Sequence, residues 1–417
     1  MVGVTYLRDV PLAGMNFVLS GAAARGFTPG DPEWINLGQG QPEIGALPGA
    51  PERISSITLD PNDHMYGPVN GLPELRQAIA DHYNRTYRSG RSSRYTAANV
   101  AVVGGGRPGV NRAIAALGAA DIGYLLPDYA AYEDILAGNM PRLRPLAVPG
   151  DDVDTLVKAV ADAGLSALLM SNPRNPTGRV IRGAELARLV EALSDRGTAL
   201  LADEFYSHYI YEQDADGRFG PAAGPVSAAA HVRDVDADPV LIVDGLTKNL
   251  RYPGWRLGWV LGPADAIAVL ERIGQAMDGG PSRPVQRAAL AAMEPDYLRR
   301  ETSAVRAAFA AKRTMAVEGL RAAGIRIDPE PTGTFYVWGS LADMPTPLRT
   351  ADAFFSAALD HRVITVPGHV FALDPGAMRT DGERFDGWMR FSYGPPADAV
   401  ATGMTRLRDM VEAHRRG

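Results

Sequence analysis

The stretch "VDGLTKNLRYPGWRLGW", Val243–Trp259, decides how this chain is read. An apolar run, "VLIVDG" (Val240–Gly245), has the pattern of a buried strand and leads into a polar cluster that holds a lysine. The chain has three lysines, Lys158, Lys248 and Lys312, and its other basic residues are arginines. Lys158 lies in "DVDTLVKAVADAG", off an apolar helical face formed by Val153, Leu156, Val157 and Val160. Lys312 stands beside Arg313 in the Ala/Arg-rich "AVRAAFAAKRTMAVEGL". Both read as solvated helix positions. Lys248 differs because it follows a buried strand, with Arg251 and Arg256 just downstream. Burial and neighbouring cations lower an amine's pKa, and a neutral amine can form an imine with an aldehyde. A strand-end lysine that snorkels to solvent fits this window equally well.

Outward from Val240 the same pattern recurs. "NVAVVGG" (Asn99–Gly105), "IGYLLP" (Ile122–Pro127), "ALLMSNP" (Ala167–Pro173) and "ALLADE" (Ala199–Glu204) are short apolar runs between helical patterns, and "WRLGWVLG" follows the lysine. Such runs predict an α/β fold with a mostly parallel central sheet covered by helices on both faces. Ligands bind such sheets beyond the carboxyl ends of the strands. Each run ends there in a polar or glycine-rich cluster: "GGGRPG", "PDYAAY", "SNPRNPTG", "DEFYSHY" and "DGLTKN". From about Pro284 a long helical stretch leads to "GTFYVWG", "RVITVPG" and "WMRFSYG", which predict a smaller α+β C-terminal domain. The expected division is an N-terminal arm with part of the small domain over 1–50, a large domain over 51–290 and the small domain over 291–417.

Lys+Arg 42 against Asp+Glu 48 leaves a net charge of −6, without the basic footprint of a nucleic-acid-binding protein. Cysteine is absent, which excludes disulfides, thiolate nucleophiles and Cys-ligated zinc, and no metal is expected. The N-terminal twenty residues carry no sustained apolar core, and no run is long enough to span a bilayer, so neither a signal peptide nor a membrane partner is expected. A cytoplasmic location follows as the default.

Taken singly, the strand-end clusters have bland readings. "SNPRNPTG" (Ser171–Gly178) is a turn that would hold Asn175 rigid. Asp203, with Tyr206 three residues on, could cap a helix or pair with a protonated ring nitrogen. "VVGGGRPGVNRAIAAL" is a strand, a tight turn and a helix whose first N–H groups, at Gly105, Gly106 and Arg107, could cradle a phosphate. Tyr129 offers a flat ring face, and Arg390 in "RFSYG" a planar fork for a carboxylate. Jointly they describe one ligand, an aromatic aldehyde with a phosphate, a ring nitrogen and a phenolic oxygen: pyridoxal phosphate.

The order of these motifs resembles the class I/II aminotransferases of fold type I, the aspartate-aminotransferase-like enzymes. The resemblance runs from about Ile35 to the C-terminus. "TKNLRYPGWRLGW" is similar to that family's lysine loop, and "NPRNPTG" and "DEFY" are nearly as specific. "INLGQGQPE", "YGPVNGLPELRQAI", "GTFYVW" and "MRFSYG" extend the match. The resemblance implies pyridoxal 5'-phosphate joined to Lys248, which also shuttles the proton. It pairs Asp203 with the ring nitrogen, sets Tyr206 and Asn175 at the phenolic oxygen and stacks Tyr129 on the ring. Gly105, Gly106, Arg107 and Arg256 would hold the phosphate, with Tyr66 reaching it from the neighbouring subunit of a homodimer. Arg390 would clamp the substrate carboxylate, and Gly40 would leave room beside it.

The chain departs from the family in two places. Gly245 stands where many relatives carry a hydroxyl three residues before the lysine, and Thr247 is the expected substitute. "GGGRPG" lacks the usual hydroxyl of the phosphate cup. Asp278 falls where aspartate-type relatives place an arginine for a distal carboxylate, and is assigned to the substrate site, favouring a neutral or cationic side chain. The reaction implied is transfer of an amino group between an L-amino acid and a 2-oxo acid. The other outcome considered is a non-transaminating reaction on the same scaffold, namely elimination or replacement, cyclisation, or decarboxylation coupled to oxidative deamination. A cofactor-fold regulator is a third reading, weakened because no basic N-terminal module is present.

Overall fold

The computed structural model describes residues 14–140, 142–150, 152–380 and 384–416. Seven strands form the central sheet: β1 (Val100–Val103), β2 (Ala120–Leu125), β3 (Leu143–Val148), β4 (Ala167–Ser171), β5 (Ala199–Asp203), β6 (Val240–Gly245) and β7 (Gly258–Leu261). Their order is β1-β7-β6-β5-β4-β2-β3. The neighbours from β6 through β5, β4 and β2 to β3 pair in parallel, while β7 runs antiparallel to both β1 and β6. The sequence runs located six of these strands. They did not show β3, whose burial alternates and which carries Arg144 on its open side. Arg144 lies directly opposite Asp121 of β2 and donates to it, so the sheet edge is closed by a charged pair rather than by apolar side chains.

Alternate residues of each strand face opposite layers. Val103, Tyr124, Leu169, Leu201 and Val243 point to one core, and Val102, Leu125, Met170, Ala202 and Ile242 to the other. The first layer holds α3 (Gly106–Ala116), α4 (Ala131–Gly138) and α7 (Ala264–Met277), and its core continues into the smaller domain. The second is covered by α2 (Pro73–Tyr87), α5 (Val153–Asp162), α6 (Gly183–Arg196) and α8 (Arg283–Ala292).

The smaller domain has an antiparallel sheet of β8 (Tyr336–Ser340), β10 (Trp388–Ser392) and β9 (Val366–Pro367), in that order. It is flanked by α10 (Ala351–Asp360) and α11 (Ala397–Arg416). The 28-residue α9 (Pro295–Ala322), about 42 Å long, leads into it. Pro295 ends the preceding helical stretch and opens this one, because it lacks the N–H that an interior position needs. An N-terminal helix, α1 (Gly14–Ala23), and a parallel pair, Ile35–Asn36 with Val363–Ile364, pack on the smaller domain.

Two lysine expectations part here. Lys158 is exposed and donates to Asp162 one turn on. Lys312 is not solvated: it is 3 % exposed, pairs with Glu43 at 2.7 Å, donates to the Pro395 carbonyl at 2.8 Å and sits over the Phe309 ring. The Ala/Arg-rich pattern hid this because Lys312 faces the partners of a long-range tie, not the solvent side of α9. Among the described residues, no helix is long and apolar enough to cross a membrane. The signal-peptide reading falls largely on residues 1–13, outside the described residues.

Candidate active site

The carboxyl ends of the parallel strands and the start of β7 open into one cleft, closed from the other side by α1 and the small sheet. Lys248, Asp203, Tyr206, Asn175, Arg107, Arg256, Thr247, Tyr129, Gly40, Gly106 and Arg390 all line it. Lys248 comes from the loop after β6, Asp203 from the last residue of β5, and Arg390 from the middle of β10.

The Lys248 amine is pushed down to about 7, first by burial and then by Arg390, Arg107 and Arg256, with Asp203 opposing. Its Nζ donates to the Gly40 carbonyl. Its loop is fixed from behind. Arg251 and Glu301 of α9 form a fully buried pair at 2.7 Å, and Arg53 reaches the same carboxylate at 3.1 Å. Arg53 also donates to the Arg251 carbonyl at 2.6 Å, and Arg251 to the carbonyls of Glu43 and Gly45.

Asp203 is buried and its carboxyl is pushed up to about 6 by desolvation. A Tyr132 hydroxyl donates to its Oδ2 at 2.9 Å, and the Phe205 amide to its Oδ1. The Tyr206 hydroxyl lies 2.8 Å from that of Tyr336 on β8.

Gly105 and Gly106 open α3. Gly105 has φ 112°, and a Cβ there would lie 2.6 Å from the Arg256 guanidinium. A Cβ on Gly106 would lie 2.6 Å from the Phe205 ring. The Gly105 N–H donates to the Val103 carbonyl at 2.8 Å, but the first N–H groups of a helix have no intrahelical acceptor, so Gly106 and Arg107 present donors to the cleft beside the Arg107 and Arg256 side chains. Thr247 is buried and its Oγ1 has no hydrogen-bond partner among the described residues, so this hydroxyl is a donor that a phosphate oxygen would satisfy. The packing explains Gly245. A Cβ there would come within 2.6 Å of Gly258 Cα and 2.7 Å of the Leu257 carbonyl on β7, so no hydroxyl-bearing side chain fits at that position.

Arg390 Nη1 donates to Asn175 Oδ1 at 3.0 Å and Nη2 to the Gly38 carbonyl at 2.6 Å, and its Nε is buried without a partner. Its guanidinium lies over the Tyr336 ring. At Gly40 a Cβ would approach the Tyr336 hydroxyl at 2.9 Å, so glycine keeps this wall open. Asn175 is held by its amide donating to Ser171 Oγ, which in turn donates to the buried Asp128. Asp128 also accepts from the Tyr129 amide at 2.7 Å, tying the ring-face tyrosine to the Asn175 turn. The Asn172–Pro173 and Asn175–Pro176 bonds are both cis.

Two expected residues lie elsewhere. Tyr66 is 100 % exposed and outside its own chain's cleft. Asp278 is also outside it: its partly exposed carboxylate accepts from Nε and Nη2 of the fully buried Arg112 of α3, so in place of the substrate-binding role assigned from register it forms an ion pair outside this chain's cleft. Sequence reasoning missed Tyr132, Tyr336, Asp128 and Ser171. Tyr132 was accessible, since it follows Tyr129 by one helical step of three. Tyr336 stands within the quoted "GTFYVW". Met15 and Leu19 of α1 and Ile135 of α4 also line the cleft, and nothing in their local sequence marks them.

Solved aminotransferases share this architecture. The Thermus thermophilus aspartate aminotransferase with maleate superposes with a TM-score of 0.76 at 21 % identity, covering 97 % of this chain and 100 % of that one. An aminotransferase from Mycobacterium tuberculosis gives 0.75 at 24 % identity, covering 99 % of each. Among sequence relatives, a valine–pyruvate aminotransferase of Mycobacterium tuberculosis is 29 % identical, covering 96 % of this chain and 95 % of its own. An aspartate aminotransferase of Streptomyces avermitilis is 28 % identical, covering 90 % and 89 %. An LL-diaminopimelate aminotransferase of Moorella thermoacetica is 27 % identical over 90 % of each. The family profile "Aminotransferase class I and II" matches residues 32–407, and the chain belongs to that family. It is accordingly an enzyme of the aminotransferase class.

Proposed function

We propose that this cleft transfers an amino group between an L-amino acid and a 2-oxo acid using pyridoxal 5'-phosphate bound to Lys248. The observation that carries the reading is a lysine brought to about 7 in the same cleft as a buried Asp203, which has no ion pair within 4 Å among the described residues, and as the Thr247 hydroxyl. The residues fit the group. The N–H donors at Gly106 and Arg107, with Thr247 and Arg256, would hold the phosphate, and Gly105, whose own N–H is taken by the Val103 carbonyl, would let it approach the turn. Asp203 would hold a proton on the ring nitrogen, whose charge supplies its missing partner. Tyr129 would face the ring, and Tyr206 and Asn175 would donate to the phenolic oxygen.

When bound, the cofactor supplies an aldehyde for the substrate amine and a ring that accepts the electron pair left at the substrate Cα. The chain does the rest. Arg390 presents a fork to the α-carboxylate, with its Nε free to donate. Lys248 Nζ, freed when the substrate amine takes its place, would accept the α-proton, and a pKa near neutrality suits both taking and returning it, an effect typically worth ~10²–10⁴-fold. Gly40 keeps the space beside Lys248 clear. The fully exposed Tyr66 would complete the phosphate site of a second copy, which supports a homodimer. A cytoplasmic setting, read from the sequence, completes the proposal.

The test is borohydride reduction of the holoprotein followed by peptide mass mapping, together with product analysis. A pyridoxyl label on Lys248 and one new amino acid formed per 2-oxo acid consumed are expected. A label on Lys158 or Lys312, or release of ammonia or carbon dioxide instead, would refute it.

A further inference from the structure

We propose that both substrates of this site are neutral monocarboxylates: amino acids with an uncharged, apolar side chain, and 2-oxo acids of the same kind as acceptors. This rests on the cofactor reading above. The argument is a charge count followed by a wall. Among the described residues of this chain, the cations lining the cleft besides Lys248 are Arg107, Arg256 and Arg390, and the one acid is Asp203. A phosphate carries about −1.5 to −2 charges near neutral pH, and an α-carboxylate adds one. Three guanidinium groups balance those three charges, while Asp203 balances the ring nitrogen. A distal carboxylate on the substrate would bring an anion for which this chain's described lining leaves no cation, and a distal ammonium would find no free acid in that lining. A charge taken out of water without a partner is strongly disfavoured. Asp278, the one acid the sequence had offered for a basic substrate, is bound to Arg112 outside the cleft.

The wall agrees with the count. The Met15 sulfur of α1 lies 3.9 Å from Arg390 Nη2, so α1 borders the fork that would grip the carboxylate. Leu19 one turn on and Ile135 of α4 continue this apolar side of the cleft. The uncharged polar side chains at its rim, Gln39 and Gln41, bond each other at 3.1 Å. A side chain carried by a clamped substrate meets thioether and aliphatic carbon.

The experiment follows the half-reaction by the change in cofactor absorbance on rapid mixing of holoenzyme with single amino acids, and in reverse with single 2-oxo acids. Leucine, methionine and valine, and pyruvate as acceptor, should exceed aspartate, glutamate, lysine and 2-oxoglutarate in kcat/KM by on the order of 100-fold, as expected where one partner leaves a charged group unpaired. Equal or better rates with a dicarboxylic or basic partner would overturn the substrate class while leaving the transfer reaction intact. An absorbance that answers to no amino acid would overturn the cofactor reading itself. Leu19→Arg, at an already exposed position, should raise the aspartate-to-leucine ratio about tenfold by restoring a cation. An unchanged ratio would show that the side chain does not lie against α1.

Discussion

Replacing Asp278 separates a substrate residue from a structural one. Arg112 has no exposed side-chain surface, and it donates through Nε and Nη2 to Asp278, whose side chain is 35 % exposed. Gly274 packs so closely on the guanidinium that a methyl group there would not fit, so Arg112 has little freedom to seek another partner. Removing one partner of a buried pair costs about 3–5 kcal/mol because the other charge is stranded. Partial exposure of Asp278 lets water reach the stranded group, so for Asp278→Ala we expect about 2–3 kcal/mol. An entropy of unfolding of about 2.1 cal/mol/K per residue, summed over a chain of this length, converts this to a fall in Tm of about 2–3 °C. The assay is thermal unfolding of holoprotein at fixed protein and cofactor concentration, paired with kcat/KM ratios across an amino-acid panel. Tm should fall and the ratios should hold. Unchanged Tm with altered preference between basic and neutral amino acids would refute the ion-pair assignment and return Asp278 to the substrate.

Other outcomes follow from the same geometry. In cofactor-free protein, modification of Lys248 by an amine-directed reagent should rise with pH through about 7 and then level off, because the neutral form accumulates above its lowered pKa; peptide mapping checks this, and a rate still climbing well above about pH 8 would refute it. Tyr132→Phe removes a bond that favours ionised Asp203, so its pKa should climb above about 6. Cofactor affinity measured by fluorescence against pH should then begin to fail about half to one pH unit higher as pH is lowered. Lys312→Ala strands Glu43 and backbone carbonyls, at a cost of about 2–4 kcal/mol seen in unfolding curves, yet the borohydride label should stay on Lys248. Mixing Lys248→Ala and Tyr66→Phe chains should restore fully equipped sites in hybrids, read as activity above that of either parent; no gain would argue against a shared phosphate site.

The site was legible where chemistry and backbone pattern coincide. Asp203 closes a continuous apolar strand, and Lys248 and Asn175 follow two others within four residues, so the three polar groups point to one edge of the sheet when read together. The central sheet was legible for the same reason, except β3, whose half-exposed edge breaks the apolar run. Long-range partners were not legible. Lys312 and Asp278 resemble surface residues locally, and only the approach of Glu43 from a distant segment buries the one and of Arg112 ties down the other. The apolar wall of Met15, Leu19 and Ile135 was hidden likewise, since apolar residues on a helix look the same whether they face a core or a ligand. Gly245 shows the reverse case: its departure from the family pattern was visible, but its cause, the β7 backbone, was not.

The Arg53–Glu301–Arg251 knot has a mechanical consequence. It fastens the reactive-amine loop to the opening turns of α9, the same helix that carries the smaller domain at its far end. A swing of that domain can therefore bend the helix only beyond Glu301 without dragging Lys248 along. Arg390 and Tyr336 stand on the smaller sheet and Lys248 and Asp203 at the edge of the larger one, so any displacement between the two would change the grip on a substrate carboxylate and leave the groups that handle its proton in register with each other.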